Sequence, residues 1–258
     1  MPEAAIALSA TADGSPLKLE QPGATYVLTQ DVNVKGAGII TLRDDITLDL
    51  NGHTIVFASD PTEAKDVFGV AARGTHDKSK VKYHSTGLKV LNGTIRQGNG
   101  KLLSDNKEPG GFSPLQLTGQ DAEVAGLRIH YHAPQSWGMQ FNHSNGKLNI
   151  HHNVFRDLGT KIPNRHGAGV RVVGFRMPKS SPNEFTMSHN LIERTRQNGI
   201  GGAHTMHSNE IYIDSWATNS FAIQPESKDG IDAGEHYGNR IFGTGFPPFK
   251  GGLLFWAD

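Results

Sequence analysis

One short phrase recurs in the sequence at intervals that are too long for a hairpin. The segment "ITLDLNGHTIVF" (46–57) has a strand, Asn-Gly, strand pattern, and "GLKVLNGTIRQGN" (87–99) repeats it about forty residues later. Asn-Gly between alternating apolar residues ordinarily indicates a β-hairpin. Here, however, seven phrases with two short strand-like pieces each can be laid under one another. Constant strand phrases at variable spacing are typical of a solenoid, in which loops leave fixed coils at the corners.

The alignment of the later phrases predicts which residues occupy equivalent places in successive coils. From residue 127 onward, two apolar positions recur at intervals of about 20 to 40 residues. The first set is Leu127, Leu148, Phe185 and Ile211, and the second is Ile129, Ile150, Met187 and Ile213. No helical period of comparable strength competes with this pattern, so the sequence predicts an all-β protein.

The phrases "DLNGHTI", "VLNGTI", "HHNVF" and "SHNLI" resemble the right-handed parallel β-helix of the pectin-lyase-like superfamily, from about residue 26 to the C-terminus. The resemblance implies a single-stranded solenoid of about seven coils, forming one domain over 1–258. Residues 17–45 would supply an N-terminal cap and the first strands, because terminal coils need covering. In such stacked coils Asn153 and Asn190 are predicted to take the left-handed backbone of a corner and to hydrogen-bond in a ladder.

Composition narrows the range of partners. Lys plus Arg equals Asp plus Glu at 25 each, so overall charge gives no reason to expect binding to nucleic acid or to an anionic membrane. There is no cysteine for disulfides or thiolate metal sites, and no apolar run approaches the roughly 18 residues of a membrane span. The segment "MPEAAIALSATADGSP" has no signal-peptide pattern, as a mature secreted protein with an added Met would not. The family resemblance predicts a secreted, extracellular or periplasmic protein, and the N-terminal sequence is compatible with the mature form of one.

The second strand of each repeat alternates apolar and polar residues, which predicts one inward and one water-facing set of side chains. The outward rows are predicted as Ala71, Gln116, Gln140, Arg171, Gly201, Ala222 and Leu254, and as Arg73, Thr118, Asn142, Val173, Ala203, Gln224 and Trp256. Amides beside small residues would make a shallow groove that suits sugar hydroxyls and carboxylates. The predicted substrate-binding residues are Gln116, Gln140, Asn142, Gln224 and Trp256. A solvated sheet face is the alternative interpretation.

Histidines are frequent, at 13 residues, and several lie near the predicted groove. His166 and Arg171 in "NRHGAGVRV" and His204 in "GGAHTMH" are predicted to come from adjacent coils, and His189 is a further catalytic candidate. A neutral histidine can accept a proton, and a guanidinium can stabilise the charge that develops beside a uronate carboxylate. This is the requirement of β-elimination, so the leading hypothesis is a polysaccharide lyase acting on an acidic glycan.

Two other functions remain open at this stage. A glycoside hydrolase or transferase would need paired carboxylates, and Asp214 and Glu226 are the candidate acids, although "RHG" (165–167) has no accompanying Asp pair. A non-catalytic glycan-binding, adhesin or spike-like module would use the regular surface alone. Because the chain ends on "GGLLFWAD", in what reads as a mid-solenoid strand, the sequence suggests a truncated longer product or self-association at that edge.

One acidic segment could hold a cation. Lyases of the resembled superfamily often use Ca²⁺, and "ESKDGIDAGE" (226–235) offers Asp229, Asp232 and Glu235 among glycines. These residues are weak candidates for a calcium site, because an exposed acidic turn has the same composition.

Overall fold

Parallel β-strands make up all the regular structure of the described chain. The structure is a computed structural model. It describes residues 5–41, 43–59, 67–72, 86–98, 113–117, 121–132, 138–141, 147–158, 173–174, 184–195, 200–201, 205–213, 223–224 and 235–243. No helix occurs among these residues, and every strand pair that they form is parallel. The prediction of an all-β, parallel structure is therefore confirmed, and it is consistent with a solenoid.

The strands are short and follow one another in chain order as β1 (Ile6–Leu8), β2 (Leu17–Leu19), β3 (Thr25–Leu28), β4 (Val32–Asn33), β5 (Ile39–Thr41), β6 (Thr47–Asp49), β7 (Thr54–Phe57), β8 (Phe68–Ala72), β9 (Lys89–Gln97), β10 (Ser113–Leu117), β11 (Ala122–Tyr131), β12 (Met139–Phe141), β13 (Lys147–His151), β14 (Val154–Asp157), β15 (Val173–Gly174), β16 (Glu184–Ser188), β17 (Leu191–Thr195), β18 (Ile200–Gly201), β19 (Thr205–His207), β20 (Glu210–Ile213), β21 (Ile223–Gln224), β22 (His236–Tyr237) and β23 (Arg240–Gly243).

These strands line up on three faces. The first face has the order β1-β3-β6-β9-β11-β13-β16-β19-β22, and the second face continues it around a corner as β4-β7-β9-β11-β14-β17-β20-β23. The long strands β9 and β11 belong to both faces and join them into one sheet of 15 strands. The third face has the order β2-β5-β8-β10-β12-β15, and β18 pairs with β21. The chain visits these faces in turn, so each strand pairs with its counterparts in the preceding and following repeats.

Columns of apolar side chains from the three faces fill the interior. On the first face Val90, Val124 and Ile150 are in register and fully buried, as are Ile95, Ile129 and Phe155 on the second. On the third face Val70, Leu115 and Met139 do the same. Because each side chain removed from water contributes about 1.5–3 kcal/mol, the alternating inward residues, repeated in every strand, provide the main stabilisation of the fold.

A ladder of asparagines fixes the corner between the first and second faces. Asn153, Asn190 and Asn209 each donate a side-chain hydrogen bond to the next asparagine, ending at Asn239, with N···O distances of 2.9–3.0 Å. Asn153 and Asn190 are 1% and 2% exposed. The predicted ladder is confirmed, but the predicted backbone is wrong, because the left-handed residue is the one before each Asn. His152, with φ 55°, and its counterparts His189, Ser208 and Gly238 hold that position.

The predicted register of the apolar positions is partly right. Leu148 pairs with Phe185 and Ile150 with Met187, as expected. Leu127 and Ile129, however, do not share their column, because Ala122 and Val124 occupy those places. Strand β11 runs through the corner at Gly126, whose φ is 67°, so its two halves carry the same alternation on different faces. The prediction placed the second half of β11 beside β13, whereas the first half is the one that pairs there.

The last residue of each predicted apolar set lies on the second face and not on the first. Ile211 pairs with Ile192, and Ile213 pairs with Thr195, so both lie on the second face. Near the N-terminus, β1 pairs with β3 in regular register, so strand pairing in the first face begins at Ile6.

Gly69, the second residue of β8, lies where the third face packs closely against the core. A Cβ there would lie 2.5 Å from both Ile95 Cγ2 and Pro114 O, and 3.0 Å from Phe57 Cδ1. We expect Gly69→Ala to lower the free energy of unfolding by about 1–3 kcal/mol through overpacking, measured by denaturant titration. Gly36→Ala is the control, since nothing lies within 4 Å of its Cβ position. Equal stabilities of the two variants would contradict the close packing.

Candidate functional site: a basic strip on the second face

The outward side of the second face carries a cluster of basic residues. In strands β9, β11 and β14 the inward residues Ile95, Ile129 and Phe155 alternate with outward Arg96, His130 and Arg156. The alternation forces this placement, because successive side chains of a strand point to opposite sides.

These outward residues are in register across three strands. Arg96 pairs with His130, and His130 pairs with Arg156. Neighbouring strands lie about 4.8 Å apart, so the three residues form a row across the strands. Arg128 lies on the same side of β11, two residues before His130. We call Arg96, Arg128, His130 and Arg156 the basic strip.

Little negative charge neutralises the strip. Arg96 and Arg128 are exposed, and neither has an ion-pair partner among the described residues. Arg156 Nη1 lies 3.6 Å from Glu193 Oε1, and both side chains are nearly half exposed, at 47% and 42%. An exposed pair of this kind contributes only about 0–1 kcal/mol. The strip is therefore a local cationic surface on a chain whose overall charge is balanced.

His130 is half-buried in the middle of this charge. Burial lowers its pKa first, and the guanidinium of Arg156 lowers it further, with smaller contributions from Arg96 and Arg128. Glu193 acts in the opposite direction without cancelling the effect. The imidazole is therefore neutral at neutral pH and can accept a proton while cationic groups surround it.

The shifted titration of His130 can be measured directly. In NMR titrations we expect its pKa to lie below the ordinary value of 6.5, and Arg156→Gln to raise it, because the nearest positive charge is removed. Arg43→Gln serves as a control and leaves the titration unchanged. A midpoint at or above 6.5 in the unmodified protein would contradict the electrostatics of the strip.

The same shift links stability to pH. The folded chain binds the His130 proton less tightly than the unfolded chain, so the unfolded state takes up more protons as the pH falls. The contribution of His130 to stability is thus fully present above pH 6.5 and decreases as the pH falls towards the pKa of the folded state.

The predicted groove residues on the third face are placed differently from expectation. Gln116 pairs with Ala71 and with Gln140, as the alignment predicts. Ala71, however, is only 2% exposed, so the row does not face water at that position. The amide oxygen of half-buried Gln116 is itself buried and has no hydrogen-bond partner within the described part of the chain.

The later members of the predicted rows are out of register. Gln140 pairs with Gly174, so the predicted alignment of Arg171 with Gln140 is wrong by three residues. Gly201 pairs with Gln224 instead of Ala222. The reason is that the segments between these strands differ in length, and an alternating pattern alone does not count the residues in a loop.

The remaining predicted site residues lie away from the basic strip or outside the described ranges. His189 lies exposed at the corner, stacked on His152 at a centroid distance of 4.9 Å, and not on the basic strip. Glu235 is exposed, and its backbone oxygen accepts a hydrogen bond from Met206 N at 3.0 Å. The other predicted site residues lie outside the described ranges and stay predictions. They are Asn142, His166, Arg171, His204, Asp214, Glu226, Asp229, Asp232 and Trp256.

The basic strip was not among the predicted sites, although it leaves a signal in the sequence. Arg96, Arg128 and Arg156 each follow a corner, in "NGTIRQ", "GLRIHYH" and "HNVFRD". The recurrence of arginine was missed because the net charge of the chain is balanced and because the two halves of β11 were assigned to the wrong faces.

The described ranges hold neither a larger metal-ligand cluster nor a membrane-spanning helix. They contain no group of three or more His, Asp or Glu side chains arranged to hold a metal ion. They also contain no helix long and apolar enough to cross a membrane.

Comparisons with known proteins give no assignment. No protein-family model, no curated protein and no solved structure matches the chain. Any statement on function has therefore to come from the residues themselves.

Proposed function

We propose that the chain is a carbohydrate-active, single-domain, right-handed parallel β-helix of about seven coils. In this proposal it binds an acidic polysaccharide along the basic strip and cleaves it by β-elimination. The observation that supports the proposal is the register of Arg96, His130 and Arg156 on three neighbouring strands. A polyanion lying across the strands would meet a basic group on each of them.

The binding step follows from the charge and exposure of the strip. Guanidinium groups bind carboxylates and sulfates through paired, charge-assisted hydrogen bonds. Arg96 and Arg128 are exposed and have no competing carboxylate among the described residues. Both would therefore be available to the acidic groups of a glycan without first breaking an internal ion pair.

The chemical step uses the neutral imidazole. His130 would take the proton from the carbon next to the uronate carboxylate. The electron pair of that C–H bond forms the C4–C5 double bond, and the bond from C4 to the glycosidic oxygen breaks. Water supplies a proton to the departing oxygen, and the guanidinium groups stabilise the negative charge that develops on the carboxylate. The products are an unsaturated uronyl end and a new reducing end.

A glycoside hydrolase fits the strip less well. Hydrolysis needs two carboxyl groups at a defined separation, and within the described residues the carboxylate that contacts the strip is Glu193 alone. A non-catalytic glycan-binding module needs only the exposed guanidinium groups, and the open position of Arg96 and Arg128 favours it as the second candidate.

The deciding experiment incubates the protein with polyuronates and neutral polysaccharides while following ultraviolet absorbance and reducing ends together. The proposal predicts that both rise on a polyuronate, and that His130→Ala lowers the rate by about 10²–10⁴-fold, as for loss of a general base. His53→Ala is the control, because His53 contacts Asp31 at 3.4 Å and is not a residue of the strip. Reducing ends without absorbance would indicate a hydrolase, and binding without either product would indicate the binding module.

A further inference from the structure

A column of aromatic side chains runs along the corner between the first and second faces. His152 stacks on His189 at 4.9 Å with ring planes 5° apart, and His207 stacks on Tyr237 at 5.0 Å and 3°. His189 meets His207 edge to face at 5.4 Å. Stacked rings cover one another's faces, so the column offers the nitrogen-bearing edges of its imidazoles more than free faces for sugar stacking. Nitrogen edges are ligands for transition metals.

A further imidazole, that of His151, meets His152 at one end of the column. His151 Nδ1 lies 2.9 Å from His152 Nδ1, and the two rings are nearly perpendicular at 89°. In a tetragonal copper site the metal–nitrogen bonds are about 2.0–2.1 Å and adjacent ligands subtend about 90°, which separates adjacent nitrogens by about 2.9 Å. A tetrahedral site would need a separation of about 3.3 Å. The nitrogens are therefore already at the spacing of a tetragonal site.

A charged pair orients the first of the two rings. His151 Nε2 lies 3.2 Å from Glu123 Oε1, and Glu123 Oε2 lies 3.1 Å from Lys89 Nζ. The carboxylate of Glu123 accepts the Nε2–H of His151, which leaves the lone pair of Nδ1 facing His152. Metal-binding histidines are commonly oriented by a carboxylate in this way.

The backbone holds the second ring at the same place. His152 has φ 55° at the corner, and the next residue, Asn153, is buried and bonded to Asn190 at 3.0 Å. His151 pairs with Ser188 in the sheet. Both ligands are thus carried by the most regular part of the corner, which lowers the entropy lost on binding.

We propose that His151 and His152 bind one divalent copper ion through their Nδ1 atoms, with water completing the coordination. Both rings bind as neutral imidazoles. The hydrogen that one Nδ1 donates to the other in the free protein moves to the Nε2 of His152, so that both Nδ1 lone pairs turn towards the metal without net proton release. The site is separate from the basic strip and does not depend on the proposed lyase activity.

The test is a titration of the full chain with Cu²⁺, followed by electron paramagnetic resonance and competition with a chelator of known affinity. The proposal predicts a signal from two imidazole nitrogens. His152→Asn, which suits the left-handed corner and so preserves the fold, weakens binding by at least 10-fold, as does His151→Gln. Glu123→Gln weakens it by about 10-fold through the lost orienting bond, and His53→Ala leaves it unchanged. Equal affinity in His152→Asn and the unmodified protein, or a signal from a single nitrogen, would overturn the proposal.

Discussion

Replacing Asn190 by Ala is expected to lower the free energy of unfolding by about 3–5 kcal/mol. Its side-chain oxygen accepts hydrogen bonds from the Asn153 backbone N and Nδ2, both at 3.0 Å. Its Nδ2 donates to Ile150 O at 2.9 Å and to Asn209 Oδ1 at 3.0 Å. Truncation leaves several buried polar groups without partners, at about 1–3 kcal/mol each. Denaturant titration measures the change.

An asparagine of the preceding repeat provides the control. Asn149 lies exposed on β13, which pairs with β16, and takes no part in the ladder. Asn149→Ala should change stability by no more than about 0.5 kcal/mol, as is usual for surface positions. If both substitutions have the same small effect, the ladder does not stabilise the corner.

The largest expected effect on binding comes from removing the charge of the basic strip. Replacing Arg96, Arg128 and Arg156 by Gln together should weaken binding of a polyuronate by about 100-fold or more. The reason is that hydrogen bonds to charged groups contribute about 1.5–3 kcal/mol each, and 1.4 kcal/mol corresponds to tenfold in affinity. The three residues lie on the surface, so the fold should be retained. Titration calorimetry at two salt concentrations measures the loss, and the binding that remains should depend less on salt.

A variant with the same loss of charge elsewhere separates local from overall electrostatics. Lys18, Lys35 and Arg43 are exposed in the N-terminal part of the chain. Their joint replacement by Gln removes three positive charges and should change the affinity by less than about threefold, since exposed charges beyond a Debye length of about 10 Å are screened. A comparable loss in both triple variants would show that binding follows net charge and not the strip.

The sequence was sufficient to predict an all-β structure of parallel strands, because the same physical requirement recurs in every repeat. Each repeat needs inward apolar residues and a corner that satisfies its backbone, so similar phrases return: "LNG" at 50–52 and 91–93, and "HN" before an apolar residue at 152–154 and 189–191. The ladder of Asn153 and Asn190 follows from this repetition and could be predicted. The left-handed residue was harder to assign, because His152 and Asn153 are adjacent and both residue types are enriched at positive φ.

The site was harder to predict, because it depends on register. Arg96, His130 and Arg156 become neighbours only when β9, β11 and β14 are paired residue by residue. The alternation of β11 is the same on both sides of Gly126, so the sequence does not show which half faces which neighbour. An error of five residues in that strand moves the alignment from the second face to the first. Local patterns thus predict the faces of a strand, and pairing across the strands decides which side chains meet.

The most direct test of the central claim follows the arginine side chains while an acidic oligosaccharide binds. The Nε–H resonances of Arg96, Arg128 and Arg156 should shift in NMR spectra when a galacturonate hexamer is added, and those of Arg43 and Arg240 should stay in place. Arg240 is a suitable reference because Glu210 already occupies its guanidinium at 2.9 Å. Shifts confined to the three strip residues would support an acidic-glycan site on the second face. Binding that leaves these three resonances unchanged would contradict it.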